Sequence, residues 1–384
     1  MKSRILNSGF NGLWQMMPAI SSLTISLVVV RHYSSDIWGV IAGVLIVQQI
    51  TTGLLNWGNK DYIQKALADF PSQIGHIFTA LFLERLVLLV AAVAILYAFQ
   101  ISEYSLPLIL LVIGHFTRQS FDVLILQKRL FVPFALIESL ILVTQIAFIL
   151  QSNNTSEVLY IMAFGALLRG ALPMLWFLNQ FKAPKWSQSH VLLSGGFAMI
   201  AIAGFLASKV DLLVFKFLFE SKPALLGEYQ VYMAFAWSIQ ALAAYFASPY
   251  VPHFYRLAEK GKLSVESQFM KVGLIIVPLA VGMSHVVLTM FFGFQFDILT
   301  VPLLMVLGFN AFLLTPIIYR LYAMNKQMLV AGVIAMATLV LPLLIFSAAS
   351  FVELNLIWSI FLVCLHNSIL VLVFHLIHAK QSLQ

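Results

Sequence analysis

The chain has 384 residues, of which 61% are hydrophobic and only 10% are charged, with a mean hydropathy of +0.96. Soluble globular chains carry roughly 25% charged residues, so no water-soluble core hides this much apolar surface. The net charge of +7 is spread between apolar runs and forms no single patch, which argues against nucleic acid as a partner and makes the charge pattern a report of membrane topology.

The first segment, MKSRILNSGFNGLWQMMPAISSLTISLVVV, places two basic residues ahead of an apolar run, as a signal peptide does. The run is too long, is interrupted by Asn11 and Gln15, and has no small-residue cleavage site, so it is read as an uncleaved first helix. A transmembrane helix needs about 20 mainly apolar residues. The apolar runs place helices near 10-30, 37-57, 76-99, 106-126, 131-150 and 157-178, then 191-217, 227-248, 268-292, 298-318, 328-348 and 355-377. Pro18, Pro173, Pro278 and Pro342 fall inside spans, where neighbouring helices can satisfy the freed backbone groups. Cys364 is the only cysteine, which excludes an intramolecular disulfide and a cysteine metal cage, and neither a cofactor nor a metal site is expected.

With the N-terminus inside, fifteen Lys and Arg residues, from Lys2 and Arg4 through Lys128, Lys182 and Lys260 to Lys380, fall on the inner side, and only Arg31 and Lys222 fall outside. Short loops rich in Lys and Arg stay cytoplasmic, so both termini are expected there. The chain also reads as duplicated. VVVRHYSSDIWGVIAG has a counterpart in FKFLFESKPALLGEYQVY, with Gly39 matching Gly227 and Tyr62 matching Tyr250. The hinge Gln127-Lys128-Arg129 corresponds to Asn325-Lys326-Gln327. Two six-helix halves follow, 1-182 and 190-384. Six spans each give both the same orientation, hence parallel repeats around a central cavity, a plan suited to transport.

DIWGVIAGVLIVQQ, ASKVDLLVFKFLFESKPALLGEYQVYMAFAW and FFGFQF carry a resemblance. The chain resembles, over nearly its whole length, the Wzx-type polysaccharide flippases of the multidrug/oligosaccharidyl-lipid/polysaccharide exporter superfamily. The resemblance implies an all-α integral membrane fold of about twelve helices. It implies ion-coupled flipping of an undecaprenyl-diphosphate-linked oligosaccharide, an O-antigen or related unit in lipopolysaccharide biosynthesis, across the bacterial inner membrane. A polysaccharide polymerase or chain-length regulator is an expected partner beside the lipid-linked oligosaccharide and the bilayer. The superfamily's multidrug exporters share the twelve-span plan and form the alternative.

Of the charged residues within the expected spans, nine are candidates for buried charge: Glu84, Arg85, Arg118, Asp122, Glu138, Arg169, Lys209, Asp211 and Lys216. Each costs on the order of 2.5 to 3.5 kcal/mol at a helix centre on insertion scales, so each is expected to face a cavity or a partner. Arg118, Arg169, Arg85 and Lys209 are the candidate contacts for a diphosphate. Asp122, Glu138, Asp211 and Glu84 are candidates for ion coupling or charge pairing. His115, Arg118 and Asp122 share one face of the fourth helix, consistent with either a self-neutralising pair or a lumenal site. Arg169 has no local acid; either Glu138 is its partner or it meets substrate. Glu84 and Arg85 are set about 100° apart on their helix and are expected to pair with different helices. Lys216 is placed to snorkel to the outer surface, and Asp211 is raised by the flippase resemblance. His285, His366 and Asn367 are either packed and hydrogen-bonded or relay protons.

No enzyme is expected. A membrane glycosyltransferase or polysaccharide polymerase would carry catalytic groups on a long outer loop, and the outer loops here are short. No nucleotide-binding P-loop is present, since Gly261-Lys262 has Arg256 where the first glycine belongs. Cysteine labelling in intact cells is expected to find positions near Ser35, Asn154 and Glu353 outside and positions near Lys128, Lys182 and Lys260 inside. Labelling of Lys182 and Lys260 from opposite sides would break the parallel-repeat reading.

Overall fold

A computed structural model of the chain describes residues 2–57, 59, 62, 63, 66, 71–98, 103–185, 194, 195, 198, 199, 202, 205, 206, 209–247, 259–293, 298–324 and 326–382. Among these residues the regular structure is helical. In chain order the helices are α1 (Lys2–His32), α2 (Ser35–Leu55), α3 (Ile74–Ala98), α4 (Ser105–Lys128), α5 (Phe131–Ile149) and α6 (Thr155–Trp176). They are followed by α7 (Val210–Leu218), α8 (Pro223–Ala247), α9 (Glu259–Phe292), α10 (Thr300–Ala323), α11 (Gln327–Ala349) and α12 (Leu356–Ser382). Nine of them, α2 to α6 and α9 to α12, are long and apolar enough to cross a membrane. At 1.5 Å per residue the 25 residues of α8 reach about 37 Å and the 31 of α1 more, beyond the roughly 30 Å of a hydrocarbon core. Most of the expected seventh span before residue 209, and Tyr250 of the repeat comparison, lie outside the described residues.

Several helices outrun the apolar stretches that signal them. α1 begins at Lys2, α9 begins at Glu259, and α10 continues to Ala323, carrying Arg320 inside the helix where a loop was expected. Hydropathy marks the part of a helix in lipid, whereas helical hydrogen bonding continues through the polar turns beyond it.

The chain divides into two compact units, one formed by Met1–His32 with Val40–Lys209 and the other by Tyr33–Gly39 with Val210–Gln384. In the first, α4 is stopped by Arg129, which takes the left-handed conformation at φ 55°, while the Leu130 N–H returns to the Ile125 carbonyl at 3.1 Å. That closure satisfies carbonyls the helix end leaves orphaned and reverses the chain into α5. At the end of α10 a return of the same type runs from the Lys326 N–H to the Leu321 carbonyl at 3.0 Å, two positions out of register with the hinge match read from the sequence. At the start of α6, Asn154 accepts from the Glu157 N–H at 2.9 Å while the Glu157 carboxylate accepts from the Asn153 N–H at 2.7 Å, a reciprocal N-terminal cap.

α4 and α6 cross in close contact. A Cβ on Gly114 would lie 2.4 Å from the Ala166 carbonyl carbon, and one on Gly170 would lie 2.7 Å from the Gly114 oxygen. Without a strong hydrophobic drive between helices in lipid, small residues that let backbones approach supply the packing. On α5 the buried residues Phe131, Phe134, Glu138, Ile141, Leu142, Gln145 and Ile149 form a single stripe, while Val132, Leu136, Leu140 and Val143 are exposed. Two polar side chains therefore ride on the inward face of an otherwise apolar helix. An aromatic cluster of Phe78, Phe82, Phe121, Phe177 and Phe181 closes one end of this unit.

In the second unit the start of α2 meets the start of α8. A Cβ on Gly227 would fall 2.7 Å from the Ser35 oxygen and 2.9 Å from the Gly39 nitrogen, so the two repeat-equivalent glycines touch each other. Asn310 on α10 donates to Ser368 on α12 at 3.0 Å. In the loops before α8 and α12, Lys222 pairs with Glu353 and holds that exposed carboxyl below its usual range.

Gly114→Val forces the α4–α6 crossing apart. Overpacking of this kind costs about 1–3 kcal/mol, so its melting temperature in detergent is expected to fall clearly, whereas Gly332→Ala, whose Cβ would meet nothing within 4 Å, is expected to melt with the parent.

Candidate functional site

The polar side chains of α3 to α6 converge within the first unit. Arg118 on α4 grips Glu138 on α5 through one carboxylate oxygen, with Nε at 2.8 Å and Nη2 at 2.6 Å from Oε1. Among the described residues Oε2 of Glu138 makes no hydrogen bond. Asp122, one turn along α4, lies within electrostatic reach of Arg118 and also of Arg85.

Arg169 on α6 sits differently. Its Nη2 donates to Oε1 of Gln145 at 2.7 Å, and its buried Nε makes no hydrogen bond among the described residues. Glu138 and Arg118 both act on it electrostatically, with opposite sign. The acid considered as its partner is thus bonded to Arg118, and the side chain that holds Arg169 is a neutral amide. A buried N–H left without a partner costs about 1–3 kcal/mol, so the bare edge of this guanidinium marks a place where another acceptor belongs. His115, on the same face of α4 as Arg118, lies within reach of both arginines. Arg85, Arg118 and Arg169 face Asp122 and Glu138 in this cluster, leaving it one positive charge in excess.

Arg85 is fully buried. Its Nε donates to the Leu55 carbonyl at 2.8 Å, its Nη1 to Ser120 at 2.8 Å, and its guanidinium lies 4.9 Å from the ring centre of Phe116. It ties the end of α2 to α3 and α4, and among the described residues its Nη2, like Nε of Arg169, makes no hydrogen bond. Glu84, next to it in sequence, points elsewhere and accepts from Ser194 at 3.3 Å.

In the second unit Asp211 on α7 is buried and accepts from the Tyr229 hydroxyl on α8 at 2.7 Å, with His366 of α12 within electrostatic reach. His366 itself bonds the Ala337 carbonyl of α11 at 2.9 Å, and the Asn367 amide donates to Val363 of its own helix at 3.0 Å. Lys209 occupies the turn just before α7, where its N–H donates to Leu206 at 3.1 Å. Lys216 lies half-buried toward the end of α7 with Glu220 within reach.

Two groups were invisible to sequence reasoning. Arg320 on α10 bonds Glu266 on α9 at 3.1 Å, a pair hidden because both residues seemed to belong to polar flanks. Gln145 is the other; the signal that finds it is its seven-residue spacing from Glu138 together with Gly165 one turn before Arg169.

Removing one member of a buried ion pair costs about 3–5 kcal/mol because the other is left charged and unpaired. Arg118→Ala is therefore expected to lower membrane abundance, and adding Glu138→Ala is expected to restore much of it. Equal abundance for Arg118→Ala and parent would show that the pair carries no stability.

No protein-family model and no curated protein sequence matches the chain. Solved structures do. An outward-facing multidrug resistance MATE family transporter of the MOP superfamily aligns at TM-score 0.61 and 13% identity, over 97% of this chain and 94% of that one. An inward-facing structure of such a transporter aligns at TM-score 0.58 and 13% identity over the same shares, 97% and 94%. A eukaryotic MATE transporter, AtDTX14, aligns at TM-score 0.54 and 14% identity, over 96% of this chain and 94% of that one. These likenesses span both repeats and not one half alone. The chain is a multi-pass membrane protein with the doubled, all-helical fold of the MATE transporters.

Proposed function

We propose that the chain is a secondary transporter that moves an amphiphilic cargo across a bacterial inner membrane by alternating access of its two repeats, driven by an ion gradient, with both termini cytoplasmic. The observation that carries this reading is the fold, shared along 97% of the chain with transporters solved in outward-facing and inward-facing states. A transporter of this kind needs polar groups inside an apolar bundle, and α4 to α6 supply them. Among cargoes, the likeness to multidrug transporters backs a multidrug-type exporter better than a polysaccharide flippase.

One observation favours the second reading, a flippase for an undecaprenyl-diphosphate-linked oligosaccharide serving O-antigen or related polysaccharide synthesis. It is the half-buried guanidinium of Arg169, whose hydrogen-bond partner among the described residues is a neutral amide, in a cluster with excess positive charge. A site for cationic drugs would carry an excess of carboxylate instead. In the flippase reading Arg169 is the contact for an anionic group of the cargo, and arginine suits the task because its planar fork binds phosphate oxygens bidentately and keeps its charge at any working pH. Arg118, Lys209, Asp122 and Asp211 are secondary candidates for cargo or ion binding, and a polymerase or chain-length regulator is the partner that the flippase reading brings with it.

Arg169→Ala is expected to abolish transport of an anionic amphiphile while protein abundance stays near that of the parent, and Arg169→Lys to keep part of it. In proteoliposomes, efflux of a cationic dye such as ethidium that is untouched by Arg169→Ala, with no transport of a polyprenyl diphosphate by the parent, would decide for drug export and against the flippase. Unimpaired anion transport by a well-expressed Arg169→Ala protein would remove Arg169 from the site.

A further inference from the structure

Gln145 is 3% exposed, and its amide has only one orientation that its surroundings accept. The Nε2 group donates to the Ile161 and Met162 carbonyls of α6 at 3.2 and 3.4 Å. Only the nitrogen end can donate to a carbonyl, so Oε1 is turned the other way, where it accepts from Arg169 Nη2 at 2.7 Å. Rotating the amide by half a turn would set oxygen against two carbonyl oxygens and nitrogen against a guanidinium, losing every bond at once.

The amide has room to lie there because residue 165 has no side chain. A Cβ built on Gly165 would sit 2.2 Å from Gln145 Nε2, 2.3 Å from its Cδ and 2.9 Å from its Cγ. Gly165 precedes Arg169 by four residues, so the notch, the amide and the guanidinium stand in one column along α6. A carboxylate in place of the amide would hold Arg169 but cancel its charge. A hydrocarbon would preserve the charge but leave the guanidinium unaimed. The amide fixes direction and leaves the charge to be used, while the nearest acid, Glu138, is bonded through Oε1 to Arg118.

We propose that Gln145, seated in the notch at Gly165, is the positioning residue that aims Arg169 so that its bare Nε edge receives an anionic oxygen of the cargo. The proposal rests on the reading of Arg169 as the anion contact. It assigns a specificity role to two residues, Gln145 and Gly165, that act through Arg169 and not by touching the cargo.

The test uses the full-length protein in lipid nanodiscs, with geranyl diphosphate as the anionic probe and geraniol as its neutral counterpart. Gln145→Ala and Gly165→Ala are each expected to weaken geranyl diphosphate binding at least tenfold while leaving geraniol binding unchanged. A purely structural role for the two residues would weaken both probes alike, and that result overturns the proposal. The double variant Gly165→Ala/Gln145→Ala is expected to bind geranyl diphosphate as Gln145→Ala does, because the added methyl then has nothing to displace. Should Gly165→Ala fold poorly, the double variant removes the clash and carries the same comparison; losses that add in it overturn the proposal. If Arg169→Ala loses geranyl diphosphate binding but both single variants keep it, Arg169 remains the anion contact and the role of Gln145 falls alone. If the parent does not bind geranyl diphosphate, or Arg169→Ala binds it as tightly as the parent, the anion reading fails and the positioning role falls with it.

Discussion

An ionised side chain carried into an apolar bundle has to be met by a group reaching across from another helix, since the backbone of each helix is already satisfied by its own hydrogen bonds. That constraint organises the first unit. Arg118 reaches from α4 to Glu138 on α5, Arg169 from α6 to Gln145 on α5, and Arg85 from α3 to the Leu55 carbonyl and to Ser120 on α4. In water, ion pairs are minor contributors and apolar burial holds helices together. In lipid the tails are as apolar as the side chains, so close backbone approach and interhelical polar contacts take over. The notch at Gly114 and Gly170 and the pairing of Arg118 with Glu138 are two forms of the same solution, each fastening α4 to a neighbour.

The fold was largely legible because its signals are one-dimensional. Apolar run length gave the helices, the Lys and Arg bias gave their expected direction, and the Gln127-Lys128-Arg129 hinge with its partner at Lys326 gave the duplication. Both helix ends close with a six-to-one return, at Ile125 and at Leu321, but two positions out of register with that match. Helix ends were less legible, and Arg320 shows why: hydropathy falls where lipid ends, while the helix continues and pairs its basic side chain with Glu266.

In the polar cluster of the first unit, the spacing of residues along each helix was legible but the pairings between helices were not. His115, Arg118 and Asp122 can be placed on one face of α4 by spacing alone, and Glu138 on one face with Gln145. Which acid an arginine grips depends on the depth and rotation at which α4, α5 and α6 cross, and those are set by contacts such as Gly114 against Ala166 and Gly170 against Gly114. Those contacts join residues tens of positions apart, so no local pattern contains them. Arg85 illustrates the other direction of error. Its residue type suits a diphosphate, yet its Nε and Nη1 are taken by a backbone carbonyl and a serine and its face lies near a phenylalanine ring, none of which the sequence pattern contains.

Arg118 and Arg169 carry the same group into the same unit and end with different work, and the difference lies in what faces them. A carboxylate meets Arg118, so its charge is neutralised where it stands and the pair behaves as a fastener between α4 and α5. An amide meets Arg169, so its orientation is set and its charge is not cancelled. Desolvating a guanidinium without an acid opposite is unfavourable, and the cluster tolerates it only because Glu138 acts at longer range on both arginines while bonding to one. An anion arriving at Arg169 would supply the missing countercharge. Under the proposed anion-binding role, that unfavourable term would become a source of affinity and would select for cargo that brings a negative charge.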